Sequence, residues 1–248
     1  MKKEILHPEQ VYNTTYLDIY KNIPQISYNT FTERENVVIL CGGPSINNNY
    51  IFINEFLHKN PNNVVLSTNY HFSELDHDIH YTVFIDPGSY KRFIHTIKNK
   101  NIVLGPTVFP KPEHFNTFNF FRIKWDASVQ PYDVSEIQLN EDGSTNHKLG
   151  NCGFSCLFIA HFFKPKRILI AGFDGAEQDG KTLLHFNNRT TTFDKKNILR
   201  NYLKQKYLKK VLIPFLLKQN IEILTFKNNR FYGLASHLAN KELIKFIS

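Results

Sequence analysis

From Glu35 onward the chain reads as short apolar runs separated by stretches of helical length. The runs are Val37-Val38-Ile39-Leu40, Val64-Val65-Leu66, Thr82-Val83-Phe84-Ile85, Ile102-Val103-Leu104, Arg167-Ile168-Leu169-Ile170-Ala171 and Ile221-Glu222-Ile223-Leu224. They are rich in β-branched residues and lack the alternation of a strand with one wet face, so they predict strands covered on both faces. Helices are predicted at about 48–59, 89–98, 153–163, 195–218 and 234–246. The fourth contains Pro214, which lacks a backbone donor and clashes with the preceding turn, so a kink or break is expected near Ile213. Strand and helix alternate as in an α/β, Rossmann-like, open and mainly parallel sheet flanked by helices.

Two segments fall outside this rhythm. Residues 1–35 are polar, aromatic and poorly periodic, and read as an N-terminal arm with at most one short helix. Residues 125–150 hold Pro131, Gly143, Ser144 and several acids, and a stretch of that length without a period predicts a long, lid-like loop. No repeat or linker divides the rest, so residues 36–248 are expected to form one α/β domain.

Composition narrows the class. With 42% hydrophobic residues in 248, the chain can bury a large core. Cys41, Cys152 and Cys156 are few, odd in number and set in apolar stretches, which suits small buried hydrophobes in a reducing compartment. Met1-Lys2-Lys3-Glu4 does not lead into the apolar core of a secretory signal. The most apolar windows, 153–163 and 211–217, fall short of the roughly 20 residues that span a bilayer. A cytoplasmic protein is expected, with peripheral contact at the inner face of the membrane as the furthest excursion. Thirty Lys+Arg against 22 Asp+Glu give a net charge of +8, which favours phosphorylated or otherwise acidic partners. The stretch from Lys195-Lys196 to Lys209-Lys210 suits an anionic membrane surface. No basic-aromatic motif accompanies it, so nucleic acid is not an expected partner.

Candidate chemistry collects where predicted strands end. The first strand runs into Cys41-Gly42-Gly43-Pro44-Ser45-Ile46, where glycines allow a phosphate to approach backbone N–H groups. The alternative is a tight turn in which Ser45 caps the next helix. The second strand closes at Asn69 and the third at Asp86-Pro87-Gly88, positions that face the ligand crevice of such sheets or serve as plain turn residues. Asn151-Cys152-Gly153 opens an apolar helix and offers either a cap or a second anion site. Asp174 ends the strand that follows. His185, about a dozen residues later in a predicted loop, has the imidazole of a general base near neutral pH. Zinc-ligand spacing and a GxSxG elbow are both missing from the chain.

Together these segments resemble the bacterial lipooligosaccharide sialyltransferases and a wider group sharing their opening motif, including flagellin-glycosylation accessory factors and archaeal 6-hydroxymethylpterin diphosphokinases. That group's Gly-x-Gly-Pro-Ser-Leu is similar to Cys41 through Ile46, its Asn followed by aromatics to Asn69-Tyr70-His71-Phe72, and its Asn-Pro to Asp86-Pro87. Its small-residue turn, apolar helix and Gly-Ile-Asp strand end are similar to Asn151-Cys152-Gly153 through Gly172-Phe173-Asp174. The resemblance covers roughly residues 36–226. It implies an inverting, metal-independent transferase that moves sialic acid, Kdo or a related acidic sugar from a CMP donor to a glycan or glycolipid, as in lipopolysaccharide biosynthesis. CMP-sugar is then a substrate and no cofactor is expected. Gly42, Gly43, Pro44, Ser45, Asn69, Asp86, Asn151, Cys152, Gly153 and Asp174 would hold the nucleotide and donor, with His185 as base and His147 next in line. A Mg²⁺-dependent diphosphokinase using Asp86 and Asp174, and a non-catalytic protein that binds nucleotides or anionic surfaces, stay open as alternatives. Self-association into a homo-oligomer also stays open.

Overall fold

The computed structural model describes residues 18, 20–125, 137–140, 142–146, 151–174, 203–204 and 206–226 with their side chains, and the backbone of 182–184, 190–192 and 244–247. Eight strands form one open sheet: β1 (Asn36–Leu40), β2 (Asn63–Thr68), β3 (Tyr81–Phe84), β4 (Asn101–Leu104), β5 (Asn119–Arg122), β6 (Arg167–Ala171), β9 (Glu222–Phe226) and β10 (Ile244–Ile247), in the order β10-β9-β6-β1-β2-β3-β4-β5. Every pairing is parallel. The buried parallel sheet expected from the apolar runs is present, and β1 at its centre is buried along its whole length. β7 (Thr182–Leu184) and β8 (Thr190–Thr192) make a separate antiparallel pair in a stretch expected to be loop.

Alternate residues of each strand feed opposite layers. Val37, Ile39, Val64, Leu66, Val83 and Ile170 face α3 (Cys152–Ala160), all of which is buried, and the helix of residues 206–217 that ends in α4 (Ile213–Leu217). Val38, Leu40, Val65 and Leu169 meet Ile53 and Leu57 of α1 (Tyr50–Lys59) on the other face. There Phe84, Ile102 and Leu104 also cover Tyr90 of α2 (Pro87–Phe93). Pro214 does not break its helix. A π turn at Leu208–Leu212, where Ile213 N–H bonds Leu208 O, precedes it, and the chain continues as α-helix to Leu217. The wider turn relieves the crowding that Pro214 would impose one turn back.

Three expectations are corrected or sharpened at the edges. The helix predicted for 234–246 gives way at its end to β10, where β-branched Ile244 and Ile247 pair with Ile223 and Phe226; residues 234–243 lie outside the described part. Strand β5 went unpredicted because Asn119-Phe120-Phe121-Arg122 holds only two apolar residues between polar ends, too short a run to stand out. Of the arm, residues 24–26 cover the open edge of β5. Ile26 N–H donates to Arg122 O and Arg122 N–H to Pro24 O, each at 2.9 Å. Ile26 and Phe31 join the main core, so the arm protects an edge that would otherwise template aggregation. Residues 142–145 of the expected lid dock on this arm: a Cβ on Gly143 (φ 76) would stand 2.1 Å from Ile26 O, and Lys124 reaches Asp142 at 3.2 Å.

His161, just past α3, is 1% exposed among the rings of Tyr28, Phe158, Phe162 and Phe215. Its Nδ1 pairs with Phe158 O, and Nε2 has no partner among the described residues. Burial, opposed by that backbone bond, lowers its pKa from 6.5 to about 4. The unfolded chain therefore takes up a proton before the folded one does. The stability contribution is complete above pH 6.5 and is lost as pH falls through about 4, on the order of 3 kcal/mol in all. Urea midpoints measured across this window should fall less steeply for His161→Phe than for wild type. Parallel decline in the two proteins would assign the acid sensitivity to other groups.

Candidate functional site

The chain leaves β1 toward β2 on one side and returns to β6 on the other, so the order reverses between β1 and β6. Open α/β sheets bind ligands outside the carboxyl ends of the strands at such a switch point. Here the two strands stay stitched together past their ends. Cys41 N–H donates to Ala171 O at 2.9 Å and Gly43 N–H to Gly172 O at 2.7 Å. Two residues further, Ser45 N–H donates to Asp174 Oδ2 at 2.7 Å and the Ser45 hydroxyl to Asp174 Oδ1 at 2.5 Å.

This seam explains its glycines. A Cβ on Gly43 would lie 2.4 Å from Asp174 Oδ2 and 2.5 Å from Gly172 O, and one on Gly172 (φ 68) would lie 2.1 Å from Cys41 O. Neither reading of Ser45 as a helix cap nor of the turn as an empty phosphate cradle describes this arrangement. No side chain caps the N-terminus of the 3-10 turn Pro44–Asn48, and the anion bound by the Ser45 donors is Asp174. Pro44 has no N–H to offer, and Gly43 has spent its own on Gly172.

The start of α3 sits against the neighbouring strand ends. Asn151 is its N-cap, with Oδ1 accepting from Phe154 N–H at 3.2 Å. Cys152 docks on the ends of β2 and β3, its Sγ 2.8 Å from Val83 O and 3.7 Å from Asn69 Oδ1. A Cβ on Gly153 would meet the Phe173 ring at 2.6 Å, so glycine lets the helix sit against the β6 end. Asn69, with φ 60, takes the left-handed conformation that Asn tolerates, and its N–H extends the β2–β3 ladder to Val83 O at 3.1 Å. Tyr70 closes the corner, since a Cβ on Gly42 would touch its ring at 2.6 Å. Tyr70 and Phe173 were not singled out from sequence, although both adjoin residues that were.

The structure therefore brings Gly42, Gly43, Pro44, Ser45, Asn69, Asn151, Cys152, Gly153 and Asp174 together at the carboxyl ends of β1, β2 and β6. Asp86 is exposed and caps α2 by accepting from Ser89 N–H at 2.6 Å, with Pro87 in the first turn. Burial pushes the Cys41 thiol well above its ordinary value, and Cys152 and Asp174 push it further, against a hydrogen bond with Thr68. Burial likewise raises Cys156. All three cysteines are free and buried, and the raised pair serves packing rather than nucleophilic chemistry. His185, His147, Lys195 and Lys196 lie outside the described residues. Lys206 and Lys210 are exposed on the helix that buries Tyr207 and Val211. No helix among the described residues is long and apolar enough to cross a membrane, and no three His, Cys, Asp or Glu among them are grouped to hold a metal.

An open parallel sheet covered by helices on both faces, with its strand order reversing between β1 and β6, places the chain in the Rossmann-like class. Among solved structures, the MAf glycosyltransferase from Magnetospirillum magneticum AMB-1 has a similar fold, with a TM-score of 0.51 at 9% identity. The likeness covers 83% of this chain and 34% of that protein, so this chain spans about a third of its neighbour's length. Comparison with protein-family profiles and with curated sequences gives no match.

If the seam holds the switch point, its residues should be costly to alter. Gly43→Ala forces a Cβ onto a carbonyl and a carboxylate and is expected to cost about 1–3 kcal/mol. Ser45→Ala strips one donor from a buried carboxylate and should cost a similar ~1–3 kcal/mol. Urea denaturation checks both, and wild-type midpoints in both variants would show that the seam contributes nothing to stability.

Proposed function

We propose that the protein is a nucleotide-sugar glycosyltransferase whose donor lies across the carboxyl ends of β1, β2 and β6. The observation that carries this reading is the convergence of the glycine turn, Asn69 and the capped start of α3 on one switch-point crevice. The fold shared with the MAf glycosyltransferase supports it at the level of architecture. The first turn of α3 carries the positive end of a helix dipole, suited to the phosphate of the donor.

The finer assignment follows from the sialyltransferase-like motifs: a CMP-activated acidic sugar as donor and a glycan or glycolipid as acceptor. In direct displacement the acceptor oxygen bonds to the anomeric carbon while the bond from that carbon to the CMP phosphate oxygen breaks, inverting the centre. The acceptor proton passes to a base, for which His185 is our candidate, and CMP leaves with the electron pair. A positioned base contributes about 10²–10⁴ in rate. The diphosphokinase alternative asks Asp86 and Asp174 to share a cation, yet each already accepts from a different backbone donor.

Thermal-shift measurements with CMP, CTP, UDP and ATP, each with Mg²⁺ and with EDTA, test the reading. CMP at roughly 100-fold its Kd should add about 2.7 kcal/mol with or without metal. Stabilisation by ATP alone, and only with Mg²⁺, would transfer the site to the diphosphokinase chemistry.

His185→Ala should lower kcat by about 10²-fold or more and leave CMP affinity unchanged, because the imidazole acts on the acceptor hydroxyl in the transition state. Turnover near that of wild type would remove His185 from the mechanism and move the assignment to His147.

A further inference from the structure

We propose that the exposed side of α2, with the turns on either side of it, is a docking surface for an anionic phospholipid membrane. The proposal stands independently of the nucleotide-sugar reading.

Between Asp86 and Glu113 the chain contains no acidic residue. The same interval carries Lys91, Arg92, Lys98 and Lys100, all exposed, and none of the four has a carboxylate partner among the described residues. Cations elsewhere on the molecule are placed differently. Lys59, Lys124, Lys164 and Lys166 each stand 2.6 to 3.4 Å from a Glu or Asp oxygen, which offsets part of their charge. The cations around α2 present theirs to solvent without that offset.

The fold gathers them on one side. Tyr90, Ile94 and Ile97 turn inward onto Phe84, Ile102 and Leu104, which leaves Lys91, Arg92 and His95 facing out. The Arg92 guanidinium lies 5.8 Å from the centre of the Phe93 ring, and Phe93 packs on Tyr70 at 4.8 Å. His71 follows Tyr70 in the chain, and its pKa is lowered by burial and by the charge of Lys98, which sets Lys98 beside the same corner. Lys100 precedes β4, and its carbonyl accepts from Asn119 N–H at 2.8 Å. The 3-10 turn Pro112–Asn116 is tied to α2 by a 2.6 Å hydrogen bond between the Tyr90 hydroxyl and His114 Nδ1. That turn carries Phe115, 37% exposed, with its ring 4.8 Å from that of Phe120 at the start of β5.

A bilayer interface suits both kinds of side chain. Anionic headgroups attract clustered Lys and Arg, and the layer beneath them takes up an aromatic ring. A soluble polyanion satisfies the cations and leaves Phe115 in water. Phe93 and Tyr70 join this surface to the glycine turn, since a Cβ on Gly42 would touch the Tyr70 ring at 2.6 Å. A protein docked through α2 therefore holds that turn close to the headgroups.

Sedimentation of the full chain with vesicles tests the proposal, using phosphatidylcholine and phosphatidylglycerol in equal parts against phosphatidylcholine alone. Wild type should bind the mixed vesicles at low salt, release them as added salt shortens the Debye length, and ignore the neutral ones. Each cation removed should weaken binding about fivefold, so Lys91→Gln with Arg92→Gln should weaken it about 25-fold at an unchanged urea midpoint. A second pair, Lys98→Gln with Lys100→Gln, should show the same loss. Phe115→Ser should weaken vesicle binding and leave heparin binding as it was. Lys206→Gln with Lys210→Gln, on the other basic helix, should change vesicle binding by less than about threefold.

Absence of binding to the mixed vesicles at low salt overturns the proposal, as does full binding by either folded pair around α2. Loss of binding in the Lys206 and Lys210 pair alone moves the contact to that helix and overturns it equally. Heparin binding without vesicle binding gives the surface to a soluble polyanion instead, and this too overturns it.

Discussion

The Ser45–Asp174 clamp is the contact on which the organisation of the crevice depends. A parallel sheet that reverses its strand order opens a cleft where two strands diverge, and in this protein that cleft lies between β1 and β6. Backbone pairing continues through Gly43 and Gly172, and the clamp ties the chain beyond both ends. Each part requires the next. The clamp brings a carboxylate against Gly43, the close approach excludes a side chain there, and Gly172 needs its positive φ to present a carbonyl to the same turn. A buried carboxylate without donors is costly, so the Ser45 N–H and hydroxyl are also what makes Asp174 tolerable at this depth.

The architecture was legible because its strands are buried on both faces. Runs such as Val37 to Leu40 carry no ambiguity about which side is wet, and their spacing leaves only helices to fill the gaps. Legibility falls toward the edges of the sheet. Asn119-Phe120-Phe121-Arg122 becomes a strand through its partners, with β4 on one side and the bridge from Gln25 to Arg122 on the other. Ile244 to Ile247 follows a helix-like stretch and is drawn into the sheet by β9. The arm shows no period because Ile23, Ile26 and Phe31 enter separate parts of the core from an irregular backbone. None of these contacts is local in sequence, and local propensity could not report them.

At the site, sequence reasoning could place polar residues at strand ends but not their partners. Strand ends mark where polar residues gather, and Asn69, Asn151 and Asp174 do gather there. What spacing cannot convey is who binds whom across 129 residues of chain. Ser45 looked like a cap for the helix beside it, but its partner lies beyond β6. Asp86 shares the strand-end position of Asn69 and carries a more reactive group, yet Pro87 and Ser89 turn it into an exposed cap. A Pro one residue after an acid, with a Ser two further on, is the local signal that favours this outcome.

Charge acts on this protein at two distances. The net charge of +8 draws anions toward the molecule, and exposed lysines such as Lys206 and Lys210 contribute to that field. Its range is limited to about a Debye length, roughly 8–10 Å near physiological salt, so it concentrates anionic ligands without orienting them. Orientation must come from fixed groups inside the crevice, where screening is weak. The fixed groups at the ends of β1 and β6 include the Asp174 carboxylate held by the Ser45 donors and the first turn of α3 capped by Asn151, and groups like these, set by the fold, are what can orient a ligand that the long-range field has gathered.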